Sequence, residues 1–379
     1  MLLFSHSMTT QSVPFIDLKR FEDGFLDTVS ERVNLAIKEA HFVGGPERGS
    51  CEEALKNFSQ APFLTLCANG TDALQLALRA SGIKAGHKII VPNLTFWASA
   101  EAIINVGATP VVLDIDKESF HLNPQKCLEA FEKFQADGIM LVHLFGWANP
   151  GTESIRKFCS DHNKVLVEDS AQAIGVELNG KSLIGTSPLA TTSFYPAKVL
   201  GASGDAGAVF STNEEMTKLC YTLADHGRSN HYQHGHVGWN SRVGIYECIF
   251  LEESIKHIQP RIESRRSVCQ RYKEELNSEH FQIHNAEDGI TENGYLSVAT
   301  MNPDHRERFV AHLKEHNIGH GTVYPTPVAQ QPGLQAFPHE TWLDGSADQV
   351  TSSVVNLPCF AYMTESEQSY VIESVKKFF

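Results

Sequence analysis

Between residues 62 and 211 the chain repeats one pattern, a short apolar run followed by a helical segment. The apolar runs are "FLTLC", "KIIVP", "PVVLDID", "GIMLVHLFG" and "KVLVED"; "TDALQLALRASG" and "ASAEAIINVG" lie between them with helical character. Runs of this length without polar alternation read as strands covered on both faces, and parallel neighbours need crossovers that helices supply. The pattern predicts an α/β fold with a mostly parallel mixed sheet flanked by helices. In such sheets functional groups gather where strands end and helices begin. Here those junctions hold "CANGTDAL", "VPNLTFWAS", "VEDSAQAIG" and the loop around Lys198.

After "DHGRSNHYQHGHVGWNSRVG", residues 225 to 244, the pattern changes to one long polar-amphipathic helix, residues 247 to 277 by periodicity. A smaller α/β segment follows, with "GYLSVATM" and "VVNLPCF" as its strands. The expected division is a large domain over residues 1–250 and a small C-terminal domain over 251–379.

A chain of 379 residues with 42% hydrophobic and 20% charged residues suits a two-domain globular enzyme. Its 31 basic residues against 45 acidic ones, without any basic run, argue against nucleic acid as a partner. The eight cysteines form no C-x-x-C pair, which disfavours a zinc ribbon or a disulfide framework and fits a reducing cytoplasm. "MLLFSHSMTT" lacks the charge and apolar length of a signal peptide, with Met8 an alternative start, and no apolar run is long enough for a membrane span.

Lys198 stands in "TTSFYPAKVLGASGDAGAVFS" with no acidic neighbour before Asp205. A solvated loop lysine is the bland reading. Ser193, Phe194, Tyr195 and Pro196 lead into it, however, and Gly201, Gly204 and Gly207 follow, so the backbone turns near something that approaches closely. That places the lysine in a pocket, where a desolvated amine gives up its proton more readily and can attack a carbonyl.

Three other junctions complement it. Gly70 and Thr71 open a helix after an apolar strand, a setting for phosphate on backbone N–H groups; a plain N-cap by Asn69 or Thr71 competes with that reading. Glu168 and Asp169 end an apolar strand, where a carboxylate needs a partner or solvent. Asp169 therefore suits a protonated heterocyclic nitrogen, against the alternative of capping the next helix. Phe96 or Trp97 supplies an aromatic face. A phosphate cradle, a carboxylate for a ring nitrogen, an aromatic wall and a pocketed lysine are the parts that hold pyridoxal 5'-phosphate.

With these motifs in place, the chain resembles the DegT/DnrJ-type sugar aminotransferases of fold-type I. The likeness runs through "VPFIDL", "FVGGPE", "CANGTDALQLAL", "EDSAQAIG", "SFYPAKVLGASGDAGAV", "HG" with "GWNSR", "YPTPVAQQP" and "NLPCF". The resemblance implies Lys198 as the Schiff-base residue, Asp169 on the pyridine nitrogen, Gln172 on the phenolic oxygen and Phe96 stacked on the ring. It implies Gly70, Thr71 and Ser193 on the phosphate, joined by Asn240 from the other subunit of a homodimer, and Tyr195, Arg242 and Tyr324 on the substrate. It further implies L-glutamate as amino donor and a nucleotide-linked keto sugar as acceptor, in a pathway to amino-sugar glycans such as lipopolysaccharide O-antigen.

Ala206 replaces a usual glycine, Glu247, Cys248 and Ile249 replace Gln-Ala-Ala, and Val323 replaces a histidine; these changes bear on substrate, not cofactor. The resemblance of "KVLGASGDAGA" is to enzymes of 3-keto sugars, which implies amination at C3; a C4 aminotransferase and a non-catalytic regulator on the same scaffold are the alternatives. A small amino-acid transaminase would carry a carboxylate-binding arginine, and the sequence leaves Arg242 and Arg261 both open. His226, His231, His234 and His236 crowd one loop without the second ligand cluster that zinc sites usually have, and we read no metal there.

Overall fold

The computed structural model describes residues 11–379; the segment Met1–Thr10, on which the signal-peptide reading turned, lies outside them. Eight strands form the central sheet, in the spatial order 63–67, 207–211, 189–193, 165–169, 138–142, 88–92, 109–113 and 340–342. All neighbouring pairs are parallel except the two made by Gly207–Ser211, which runs against both its neighbours. Gly138–Val142, at the middle, is buried along its whole length, as expected of an apolar run covered by helices on both faces.

The reversed strand matters for the site. Because Gly207–Ser211 starts at the edge where Leu189–Ser193 ends, residues 194–206 form a loop at the same edge as the C-terminal ends of the sheet's parallel strands. Phe194, fully buried, anchors its neck: its N–H donates to Ala206 O at 2.8 Å and its carbonyl accepts from Ala202 N–H at 2.7 Å. The close approach implied by the glycines after Lys198 is the chain's own backbone, since a Cβ on Gly207 would stand 2.3 Å from Asn69 O.

The helix expected over 247–277 is two helices, Ile245–Lys256 and Ile258–Leu276. Pro260 supplies the physical reason. Inside one continuous helix it would remove a hydrogen bond and clash with the preceding turn, whereas in the first turn of a new helix its missing N–H costs nothing. The second helix and Glu365–Phe378 cover a three-stranded antiparallel sheet in the order 281–284, 297–301, 354–357, around a core that includes Tyr272, Phe281, Phe309 and Phe360. Two segments cross between the sheets: Val13 bridges to Ile318 beside the small sheet, and Glu340–Trp342 returns to the edge of the large one. No helix of the described residues is long and apolar enough to cross a membrane.

Candidate active site

The strand Val165–Asp169 ends in two carboxylates, and because strand side chains alternate in direction the two face opposite sides of the sheet. Glu168, fully buried, accepts from Arg156 Nε and Nη2 at 2.7 Å each and lies 3.0 Å from His143 Nε2. Asn149 N–H donates to His143 Nδ1 at 3.1 Å, which assigns the ring proton to Nε2, toward Glu168. Burial works to raise the pKa of Glu168, but the hydrogen bonds from His143 and Arg156 outweigh it and hold it at about 2.

Asp169 has no such partner. It is 6% exposed and accepts from Ser99 Oγ at 2.7 Å and Ala171 N–H at 3.1 Å, and among the described residues it forms no ion pair. A buried carboxylate without a cation is costly, and a protonated ring nitrogen in the adjoining cavity would supply the missing charge.

Across that cavity the helix Gly70–Ala80 presents its N-terminus. Asn69 caps it, accepting from Asp72 N–H at 2.8 Å, so the capping and phosphate readings both apply, to different groups. The N–H groups of Gly70 and Thr71 meet no acceptor among the described residues, leaving two donors at the positive end of the helix dipole. A Cβ on Gly70 would stand 2.6 Å from Ser193 Cβ, so only glycine lets the helix start against the strand that ends in Ser193.

Lys198 is half-buried, its Nζ 3.4 Å from the Tyr295 hydroxyl and 5.0 Å from the centre of that ring. Gln172 is held from both ends, with Oε1 accepting from Phe145 N–H at 2.6 Å and Nε2 donating to the Tyr324 hydroxyl at 2.8 Å. The second N–H of Nε2 is left for a ligand. Burial pushes the Tyr324 phenol well above its ordinary pKa, so it stays protonated. Of the two aromatic candidates Phe96 is the wall: it is 57% exposed, 5.8 Å from the Tyr324 ring and part of the cavity lining, while Trp97 packs against the core and Gly333.

Gly70, Thr71, Phe96, Asp169, Gln172, Ser193, Tyr195, Lys198 and Tyr324 thus line one cavity of about 820 Å3. Three residues weighed for the site, Asn240, Arg242 and Arg261, lie outside it. Asn240 is exposed, its Oδ1 accepting from Arg242 Nε at 3.1 Å and Nη2 at 2.6 Å, and Arg242 also pairs with Asp225 at 3.4 Å. Arg261 is bound by Glu22, whose carboxyl burial works to raise but the Arg261 and Tyr362 hydrogen bonds bring down to about 2. In the histidine loop, His234 Nδ1 lies 2.9 Å from His226 O.

Three residues that the motifs did not single out complete the site. Ser99 orients Asp169, and Thr95 Oγ1 in turn lies 2.8 Å from Ser99 Oγ. Tyr295 faces Lys198. Asn293, fully buried, donates from Nδ2 to the carbonyls of Gln172 and Ile174 at 2.8 Å each and accepts from Tyr295 N–H at 2.9 Å. It therefore fixes the segment of Gln172 and the backbone of Tyr295 together. The sequence signal for Ser99 was its spacing of four from Thr95; Tyr295 sits at the start of a segment read only as a strand, and Asn293 just before it.

Unmatched backbone donors at a helix N-terminus, a buried carboxylate without a cation and a lysine on one cavity of an α/β sheet define a fold-type I pyridoxal 5'-phosphate enzyme. A model of the DegT/DnrJ/EryC1/StrS aminotransferase family matches residues 27–376, and the chain belongs to that family, whose aminotransferases are pyridoxal phosphate-dependent. It is 31% identical to the UDP-2-acetamido-2-deoxy-3-oxo-D-glucuronate aminotransferase of Pseudomonas aeruginosa, over 93% of this chain and 96% of the relative. It is 29% identical to a pleiotropic regulatory protein of Geobacillus stearothermophilus, over 97% and 99%. The crystal structure of S. venezuelae DesV in complex with a ketimine intermediate superimposes with a TM-score of 0.92 at 27% identity, over 97% of this chain and 99% of that one.

Proposed function

We propose that the enzyme transfers the amino group of L-glutamate to C3 of a nucleotide-linked 3-keto sugar, in the synthesis of an amino sugar for a surface polysaccharide or another glycan. The observation that carries the reading is Asp169, a buried carboxylate lacking a cation on the same cavity as Lys198. The sugar part is supported by the likeness to the Pseudomonas aeruginosa enzyme, named for a UDP-linked 3-oxo sugar, and by the segment "KVLGASGDAGA" behind the lysine.

When bound, the cofactor supplies an electron sink for the carbanion at the amine-bearing carbon. Asp169 would hold the ring nitrogen protonated, the free N–H of Gln172 would face the phenolic oxygen, and Phe96 would lie against the ring. Gly70 N–H, Thr71 N–H and Ser193 would take the phosphate. Lys198 Nζ would hold and move a proton beside the amine-bearing carbon of the donor, with the Tyr295 hydroxyl, 3.4 Å away, orienting it. Tyr195 and Tyr324, both on the cavity lining, would face the substrate.

In this reading residues 1–250 are the cofactor-binding domain and 251–379 the smaller domain beside it, and the enzyme is a cytoplasmic homodimer. The exposure of Asn240 and Arg242, on a segment that also exposes Tyr232 and Val237 at 86% and 84%, supports their serving the partner's site. Eight buried free thiols accord with a reducing compartment. A regulatory role finds support in the Geobacillus stearothermophilus relative; the presence of both Lys198 and Asp169 on one cavity speaks for catalysis.

The test is incubation with L-glutamate and a panel of nucleotide-linked 3-keto and 4-keto sugars, with the product's nitrogen located by two-dimensional NMR. Nitrogen at C3 is expected. Nitrogen at C4 with the 3-keto sugars untouched would overturn the position, and no amination of any sugar would overturn the function.

A further inference from the structure

A second cavity, of about 300 Å3, adjoins the first, and Lys198 lines both. Its walls are rich in cations: Arg20, Arg261 and Arg265 line it with Lys198, and Asp17 is the one acid among the lining residues. Two of the arginines already have carboxylates. Arg20 pairs with Asp17 at 2.7 Å and Glu367 at 2.5 Å, and Arg261 with Glu22 at 2.6 Å.

Arg265 differs from both. It is 6% exposed and forms no ion pair among the described residues; its single side-chain hydrogen bond runs from Nη1 to Cys359 O at 3.1 Å. Nε is buried without a partner, and no hydrogen bond of the described residues involves Nη2. Those two nitrogens share the edge of the guanidinium that meets an oxyanion with two parallel N–H donors. The nearby Cys359 thiol has Gly294 O at 3.4 Å, Cys269 Sγ at 3.6 Å and Arg265 O at 3.7 Å within reach; contact with Cys269 first, and with Arg265 after it, lowers its pKa, but as a thiol it offers the guanidinium no formal charge. Burial lowers the Arg265 pKa, and the neighbouring Cys359, Tyr295 and Cys269 offset only part of that cost.

We propose that the cavity behind Lys198 is an oxyanion site, in which a small carboxylate or phosphate group binds the Nε–Nη2 edge of Arg265. Only the identity of the physiological anion rests on the aminotransferase reading: in that reading the carboxylate of the amino donor is the candidate, beside the lysine that exchanges with its amine.

The experiment is calorimetric titration of the cofactor-loaded protein, whose own phosphate site is then filled, with glutarate, a dicarboxylate without an amine, and separately with inorganic phosphate. Saturable binding of one or both is expected, weakened about tenfold or more in Arg265→Met, which keeps the side-chain bulk and removes the charge-assisted pair. Should that variant not fold, Ser203→Glu decides: Ser203 is an exposed residue of the cavity lining, and a tethered carboxylate there should weaken binding by about tenfold. No saturable binding to the wild type, or undiminished binding in the deciding variant, overturns the site. Competition between glutarate and L-glutamate assigns it to the donor, and independent binding assigns it to a separate anion; either supports the site itself. Because binding is read without turnover, an inactive protein that binds glutarate would refute the aminotransferase reading alone, and an active one that binds neither anion would refute the site alone.

Discussion

Glu168 and Asp169 are neighbours in sequence with opposite predicted consequences of neutralisation. Glu168 is fully buried in a bidentate pair with Arg156 and touches no part of the cofactor cavity. A carboxyl held at about 2 against a reference of 4.5 corresponds to about 3 kcal/mol of stability near neutral pH, with each tenfold step worth about 1.4 kcal/mol. That agrees with the cost of breaking a buried ion pair from one side. Spread over the unfolding entropy of a chain this long, it lowers the thermal midpoint of Glu168→Gln by about 4 °C.

The pH dependence has a definite sign. The folded-state pKa lies below the unfolded one, so the stabilisation is present above pH 4.5 and lost as pH falls toward 2. The gap between wild type and Glu168→Gln should therefore close over that window. Asp169→Asn removes an uncompensated charge, so its midpoint should match or exceed the wild type's in cofactor-free protein, while turnover falls by about a hundredfold or more because an amide cannot hold a ring nitrogen protonated. Scanning calorimetry from pH 7 to 3 and a steady-state assay at 25 °C measure both. A Glu168→Gln protein with an unchanged midpoint, or one whose deficit persists undiminished at pH 3, would refute the assignment of the two carboxylates to structure and chemistry respectively.

Gly70→Ala forces a Cβ to within 2.6 Å of Ser193 Cβ; overpacking of this kind costs about 1–3 kcal/mol, so cofactor affinity by equilibrium dialysis should fall about 5- to 150-fold, and affinity equal to wild type would show that the helix N-terminus does not hold the phosphate. Tyr295→Phe keeps the ring and removes the hydroxyl 3.4 Å from Lys198 Nζ; kcat should fall about tenfold with cofactor binding unchanged, and an unchanged kcat would remove Tyr295 from the proton path. Inactive Lys198→Ala and inactive Asn240→Ala subunits, mixed under conditions of verified exchange, should recover part of the activity, since one of the two hybrid sites is intact; no recovery would place Asn240 in its own chain's site.

Five strands of the large sheet, 63–67, 88–92, 109–113, 138–142 and 165–169, were legible because each is a short apolar run bounded by polar turns, and the junction motifs because each places adjacent residues at one strand end; Glu340–Trp342, three residues with a charge and a hydroxyl, was not. Lys198, Asp169 and Gly70 needed no tertiary information beyond the rule that strand ends share an edge. The break at His257 was legible in principle through Pro260, which the hydrophobic period alone overlooks. Tyr295 and Asn293 were not: they meet Lys198 and Gln172 across 97 and 121 residues of chain, and nothing local marks a tyrosine at a strand start as different from a core residue. Arg265 was hidden for a related reason. In "RIESRRSVCQRY" it reads as part of a solvated helical face, and only the packing of that helix against Cys359 and the lysine loop buries it.

The central claim is that Lys198 is the residue joined to the cofactor. Borohydride reduction of the purified yellow protein, followed by peptide mapping, tests it most directly. The reduced cofactor should be fixed to the peptide that contains Lys198, and Lys198→Ala, folded as judged by circular dichroism, should take up none; label on any other lysine, or none on the wild type, would contradict the account.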